Sequence, residues 1–145
     1  LDYFSSKYEK IILYGGSFAG PSVVIAAEKY KSVAKLIIIN GLFNLNPIKL
    51  YFSQIIGTIN YLLRRPSFWP ELFYWAKNLH IERITVPTLV VYGERDLIVN
   101  PKQSKYFYNK LNTEKKLLMI PGGDHMLVDK KYIKFAREIS EWIKI

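Results

Sequence analysis

Four short apolar runs, each closed by turn-forming residues, limit what this chain can fold into more than any other feature of its sequence. Ile11 to Tyr14 ends in Gly15-Gly16, and Leu36 to Ile39 ends in Asn40-Gly41. Pro87 to Tyr92 ends in Gly93, and Lys116 to Ile120 ends in Pro121-Gly122-Gly123. Runs of this length between such turns read as strands. Because they are continuous rather than alternating, they read as strands covered on both faces, hence a parallel sheet. Parallel neighbours need crossovers, and the intervening residues supply helices. Pro21 suits the first turn of one, with Val23, Val24, Ala27 and Tyr30 on one face and Glu28, Lys29 and Lys31 on the other. Asn100-Pro101 reads as an N-cap followed by proline at the first helical position, with Phe107 and Leu111 as the buried edge. From an Asp129 cap, Tyr132, Phe135, Ala136, Ile139, Trp142 and Ile143 trace one stripe, while Lys130, Lys131, Lys134, Arg137, Glu138 and Glu141 face water. The predicted fold is α/β: a mostly parallel sheet with helices on both faces.

Composition narrows the function classes. A chain of 145 residues that is 50% hydrophobic can bury a core. It has no cysteine, which excludes disulfides, thiolate metal sites and cysteine nucleophiles and leaves the compartment open. The net charge of +9 invites a nucleic-acid reading, but it divides as +2 over residues 1–40, +3 over 41–84 and +4 over 85–145. A spread of that kind lacks the basic stripe of a nucleic-acid binder, so no nucleic-acid partner is expected. The uncharged run Leu50 to Leu63 has 14 residues and is too short to span a bilayer.

Residues 41–84 interrupt the alternation. They hold an apolar helix around Tyr51 to Leu63 and an aromatic cluster of Phe68, Trp69, Phe73, Tyr74 and Trp75. The expected organisation is a core of residues 1–40 and 85–145 with 41–84 as a helical cap insertion, although such residues serve equally well as ordinary core.

Gly15-Gly16-Ser17-Phe18-Ala19-Gly20 joins the first strand to the first helix. A phosphate loop would need lysine where Pro21 stands, and a dinucleotide turn would need glycine at Ser17 and an acid where the second strand ends in Asn40. The pattern fits G-x-S-x-G, with Ala19 at the last small position. Small neighbours are needed there because the serine sits on a strained turn. The backbone N–H of Phe18, at the helix N-terminus, would face a developing oxyanion.

A serine nucleophile needs an imidazole base and a carboxylate to orient it. His125 follows the fourth strand, whereas His80 lies in the insertion. No Asp or Glu occurs between Lys35 and Glu71, which excludes the end of the second strand; Asp96 remains, three residues past Gly93, while Glu94 is nearer the strand but does not hold the usual spacing. Ser17, Asp96 and His125 all follow carboxyl ends of strands, where open α/β sheets bind ligands.

With these residues in the order Ser, Asp, His, the sequence resembles the α/β-hydrolase superfamily. Val86-Pro87-Thr88-Leu89-Val90-Val91-Tyr92-Gly93-Glu94-Arg95-Asp96, with Ile98-Val99-Asn100-Pro101, looks like that family's acid-bearing strand and loop. Ile120-Pro121-Gly122-Gly123-Asp124-His125 looks like its histidine loop. The resemblance implies a serine hydrolase with Ser17 as nucleophile, His125 as base and Asp96 as its orienting acid, working without a metal or cofactor. It implies an ester or lipid substrate with an apolar group, received by a pocket that includes Gly16, Tyr51, Trp69, Phe73 and Met126. Gly16 before the serine also resembles the elbow of proline iminopeptidases, so a small peptide substrate is a second reading. A catalytically idle structural or interaction subunit is a third.

The basic-flanked segment Leu50 to Leu63 is compatible with contact at a membrane surface, but a cap packed on its own pocket explains the same residues. In the family's sheet the elbow strand is central, and the second oxyanion donor comes from a loop upstream of it. The resemblance therefore implies missing N-terminal strands, absent from the record or supplied by a second chain, and the absence of a methionine at Leu1 agrees with that expectation.

Overall fold

The apolar runs pair into one sheet. In a computed structural model that describes residues 1–44, 68–127 and 133–144, strands β1 (Ile11–Gly16), β2 (Val33–Ile39), β3 (Thr88–Gly93) and β4 (Lys115–Ile120) are all parallel, in the order β1-β2-β3-β4. Around them lie helices α1 (Asp2–Lys7), α2 (Ala19–Lys29), α3 (Phe68–Asn78), α4 (Lys102–Lys110) and α5 (Ile133–Ile143), and a 3-10 turn at Ile81–Arg83. Register aligns the carboxyl ends: Gly16 stands opposite Ile39, Ile39 opposite Val91, and Gly93 opposite Ile120. The loops that leave β3 and β4 therefore start level with each other, and the loop that leaves β1 starts level with Val91, two residues before the end of β3.

Alternate side chains of each strand point to opposite faces, and both faces are packed. Leu36, Ile38 and Val90 meet Val24 and Ala27 of α2, Phe107 of α4, Leu111, and Ile81 and Ile84 around the 3-10 turn. Ile37, Leu89, Val91, Leu118 and Ile120 meet Phe135, Ile139 and Trp142 of α5. Each aliphatic side chain fully buried in this way contributes about 1.5–3 kcal/mol.

Coverage of both faces holds along the whole of β3, but β4 departs from it. Its burial alternates, with Met119 exposed, because among the described strands β4 is at the edge of the sheet. Among the described strands β1 is the other edge, and Tyr14 on it is exposed.

Two lysines on strands close helices on the layers beside them. Lys115 Nζ donates to the carbonyls of Tyr108 and Leu111 at 3.0 and 2.8 Å, at the end of α4. Lys35 Nζ donates to those of Trp142 and Lys144 at 2.7 and 2.7 Å, at the end of α5. Cations are favoured there because the last carbonyls of a helix lack intrahelical partners. The α4 boundary shows the same logic at its start. The helix begins at Lys102, yet Asn100 Oδ1 accepts the Lys102 N–H at 3.0 Å, so the asparagine caps the turn as its sequence position suggests.

Both ends of the 41–84 insertion are core. Leu42 and Phe43 are buried, the Phe43 ring stacks on Phe107 with centroids 4.0 Å apart, and Ile81 and Ile84 lie against the sheet. Helix α3 packs through Leu72 and Trp75 against Leu42, Val99, Phe18 and Ile25, and Trp75 Nε1 donates to Ser22 Oγ at 3.1 Å. The helix expected around Tyr51 to Leu63, and the Asp129 cap with Tyr132, lie outside the described residues. Helix α1, which buries no residue, has no apolar stripe to reveal it in the sequence. Among the described residues, no helix is long and apolar enough to cross a membrane.

Candidate active site

The turn from β1 into α2 forces Ser17 into an unusual backbone conformation. Its φ is +51°, in the left-handed region that L-residues seldom enter. Three main-chain bonds hold it there. Ser17 N–H donates to Ile39 O at 3.2 Å, and Ser17 O accepts the N–H groups of Gly20 and Leu42 at 3.2 and 3.1 Å. Space is as tight as the sequence pattern implies. A Cβ on Gly15 would stand 2.2 Å from Val23 Cγ2, and one on Gly20 would stand 3.1 Å from the Phe43 ring. Phe18, next in sequence, immediately precedes α2 with helical backbone angles, φ −68° and ψ −20°.

Asp96 is placed by its own loop. Its carboxylate is buried, with Oδ1 accepting the N–H groups of Ile98 and Val99, both at 2.8 Å. Oδ2 is left to meet His125 Nδ1 at 2.7 Å. A carboxylate only accepts, so Nδ1 carries the proton. The lone pair of Nε2 then faces Ser17 Oγ, 3.1 Å away. Ser17, His125 and Asp96 thus stand in one hydrogen-bonded line, an arrangement in which an imidazole can take a serine proton without rotating.

The loop that carries His125 rests on β3. Arg95 N–H donates to Gly123 O at 2.8 Å, and the Glu94 carboxylate accepts the Gly122 N–H at 2.9 Å. Glu94, which is nearer the strand than Asp96, therefore braces the base's loop and does not touch the base. Asp124 is an exposed turn residue whose Oδ1 accepts the N–H groups of Met126 and Leu127 at 3.1 and 2.9 Å. His80 sits at the start of the 3-10 turn, with its carbonyl accepting the Arg83 N–H.

Of the residues expected to line a pocket, Met126 follows the base directly and is exposed, Phe73 is exposed on α3, and Gly16 ends β1. Tyr51 lies outside the described residues, as does the side chain of Trp69. Leu97 and Ile98, one and two residues past the acid, are also exposed apolar groups and had not been expected at the site. An apolar pair directly after the acid was the signal available in the sequence. Among the described residues, no group of three or more His, Asp or Glu side chains is arranged to hold a metal ion.

Known proteins share this architecture. The structure superposes on a monoacylglycerol lipase from Paleococcus ferrophilus with a TM-score of 0.70 at 20% identity, covering 97% of this chain and 71% of that one. It superposes on the esterase domain of a Rhodothermus marinus protein with a TM-score of 0.71 at 18% identity, covering 96% and 62%. The chain has the α/β-hydrolase fold. In sequence, this chain is 26% identical over 139 residues to the Saccharomyces cerevisiae protein "Family of serine hydrolases 2". The match covers 92% of this chain but 56% of that relative, so the chain spans little more than half its length. The sequence model of the family described as "Serine aminopeptidase, S33" matches residues 65–131, a stretch that contains Asp96 and His125 but not Ser17.

Proposed function

We propose that this chain carries the catalytic machinery of a serine hydrolase that cleaves carboxylic esters bearing an apolar acyl or alcohol group. The observation that carries this reading is the line from Asp96 through His125 to Ser17, at 2.7 and 3.1 Å. Ser17 Oγ attacks the acyl carbon while its proton passes to His125 Nε2. The tetrahedral oxyanion is stabilised by the Phe18 N–H at the start of α2. Collapse expels the alcohol, which takes the proton from Nε2 and leaves the acyl group on Ser17. Water then attacks that acyl carbon, with His125 again accepting the proton, and the acid departs as Ser17 is restored. Asp96 keeps the imidazole in the tautomer that both steps need.

Exposed Leu97, Ile98 and Met126 beside the acid and the base support an apolar substrate group. The esterase and lipase identities of structurally similar proteins agree with that reading. The second oxyanion donor is assigned to a segment paired along β1, which among the described strands pairs with β2 alone. A second reading, hydrolysis of a peptide bond, is favoured by the match to the serine aminopeptidase family.

A fluorophosphonate probe, an ester such as p-nitrophenyl butyrate and an aminoacyl arylamide test these readings together. Labelling at Ser17 that disappears in Ser17→Ala, with turnover of the ester, is the expected result. Turnover of the arylamide alone selects the peptidase. Absence of labelling together with absence of both hydrolyses in the full chain means an idle structural module and overturns the proposal.

A further inference from the structure

The residue directly after β2 belongs to none of the three catalytic positions, yet it holds two of their loops together. Asn40 is 2% exposed and has φ +49°, a conformation asparagine tolerates better than most residues. Its N–H donates to Val91 O at 2.9 Å, which fixes it to β3. Its side-chain Oδ1 accepts the N–H of Gly93, the last residue of β3, at 2.9 Å. Its Nδ2 donates to His125 O at 2.8 Å and lies 3.4 Å from Asp124 O. Every side-chain partner is a backbone group of fixed polarity, so the orientation of the amide is decided by the chain itself.

Neighbouring residues extend the pattern. Ile39 O takes the Ser17 N–H, and Leu42 N–H donates to Ser17 O. The stretch from Ile39 to Leu42 is therefore bonded to the main chain of the nucleophile and of the base, and to Gly93, where the acid's loop begins. Asn40 is the member of that stretch that reaches the base through a side chain. Its bond to His125 O fixes the height of the imidazole's own backbone.

We infer that Asn40 is a positioning residue: through His125 O it sets the distance between Nε2 and Ser17 Oγ. The inference rests on the serine-hydrolase reading for its kinetic test. An isosteric change isolates it. Asn40→Asp keeps the shape and the acceptor for Gly93 N–H, but turns an oxygen rather than an N–H toward the carbonyls of His125 and Asp124. The control is Thr88→Val, which removes a buried hydroxyl bond to Val86 O at the opposite end of β3.

With the full chain, the fluorophosphonate labelling rate and kcat for an ester are measured across pH, alongside thermal unfolding and the proton resonance of His125 Nδ1–H. The expected result for Asn40→Asp is a loss on the order of 10²-fold in labelling and kcat, the scale set by displacing a catalytic group by about 1 Å. KM should stay within a few-fold, the acid limb of the pH profile should move, and the Nδ1–H resonance should shift or vanish. Thr88→Val should lose thermal stability while keeping its activity per folded molecule.

Equal loss of stability in the two variants with unchanged labelling in Asn40→Asp overturns the inference. If Asn40→Asp does not fold, Asn40→Gly, which tolerates the same φ, is read by the same criteria. A wild-type protein that is inert to probe and substrates, but whose Nδ1–H resonance is still lost in Asn40→Asp, retains the positioning role while the hydrolase reading falls. If the wild type is inert and the resonance persists in the variant, both fall.

Discussion

The loops that follow β3 and β4 are built in opposite ways. After β3, Asp96 binds the backbone two and three residues ahead of itself, so the acid is anchored by its own segment. After β4, the main chain of the base is held from outside: His125 O by Asn40, Gly123 O by Arg95 N–H, and Gly122 N–H by Glu94. The acid's side chain is therefore fixed within its own loop, whereas the base's main chain is fixed by contacts from other strands, the two loops sharing the Arg95–Gly123 and Glu94–Gly122 bonds. Damage to the sheet's packing should reach His125 long before it reaches Asp96.

The largest expected effect tests the acid's side of this contrast. Asp96→Asn can retain an oxygen for the Ile98 and Val99 N–H groups while losing the charge opposite Nδ1. Its kcat should fall by roughly 10³- to 10⁴-fold with little change in the unfolding midpoint; a large loss of stability would break the idea of a self-contained loop. Next comes Gly93→Ala. A Cβ there would stand 2.5 Å from the carbonyl oxygens of both Gly123 and Asp124, so the base's loop must lift. That should cost about 1–3 kcal/mol and on the order of 10²-fold in kcat, and a crystal structure of the variant should show Asp96 unmoved.

Asp124→Ala is smaller, because it removes a local device in the base's loop, the acceptor for Met126 and Leu127. About 0.5–1.5 kcal/mol and a several-fold drop in kcat are expected from denaturant unfolding and steady-state kinetics. A loss as large as that of Gly93→Ala would mean that the loop is locally anchored after all.

The smallest effect lies far from either loop. The Tyr30 hydroxyl donates to Asp2 Oδ1 at 2.7 Å and holds that carboxyl below its ordinary value. A depressed folded value contributes stability above the unfolded carboxylate's titration, and that stability is lost as pH falls through the folded value. Tyr30→Phe should thus lower the unfolding midpoint slightly at neutral pH and progressively less in acid, with Ser17 labelling unchanged. A change in labelling would tie α1 to the site.

What the sequence revealed divides along the same line. The strands were legible because an apolar run between turn residues is a local signal. Ser17, Asp96 and His125 stood out as candidates because each sits at a fixed offset from such a run, and the structure brings their side chains together. The edge character of β4 was not, since Lys116 to Ile120 reads alike whether or not a layer covers its outer side chains. Asn40 was read merely as the absence of an acid at the end of β2. Its partners, Gly93 and His125, are 53 and 85 residues away, and no periodicity reports a contact across that span. Gln103 was invisible for the same reason, although its Oε1 accepts the N–H groups of Phe43 and Asn44 at 3.1 and 2.6 Å and fixes the exit of the chain from β2.

The asparagine at that exit is followed by Gly41, and this pair has a chemical lifetime. In an open chain the glycine nitrogen attacks the asparagine side-chain carbonyl, ammonia leaves, and water opens the resulting ring to aspartate or isoaspartate. The bonds to Gly93 and His125 hold the side chain away from that closure, so the folded protein shields its own amide. Each excursion into an opened state removes the shield. Ageing of the protein should therefore be read in solution as slow loss of turnover with a gain of one negative charge, faster under conditions that favour unfolding.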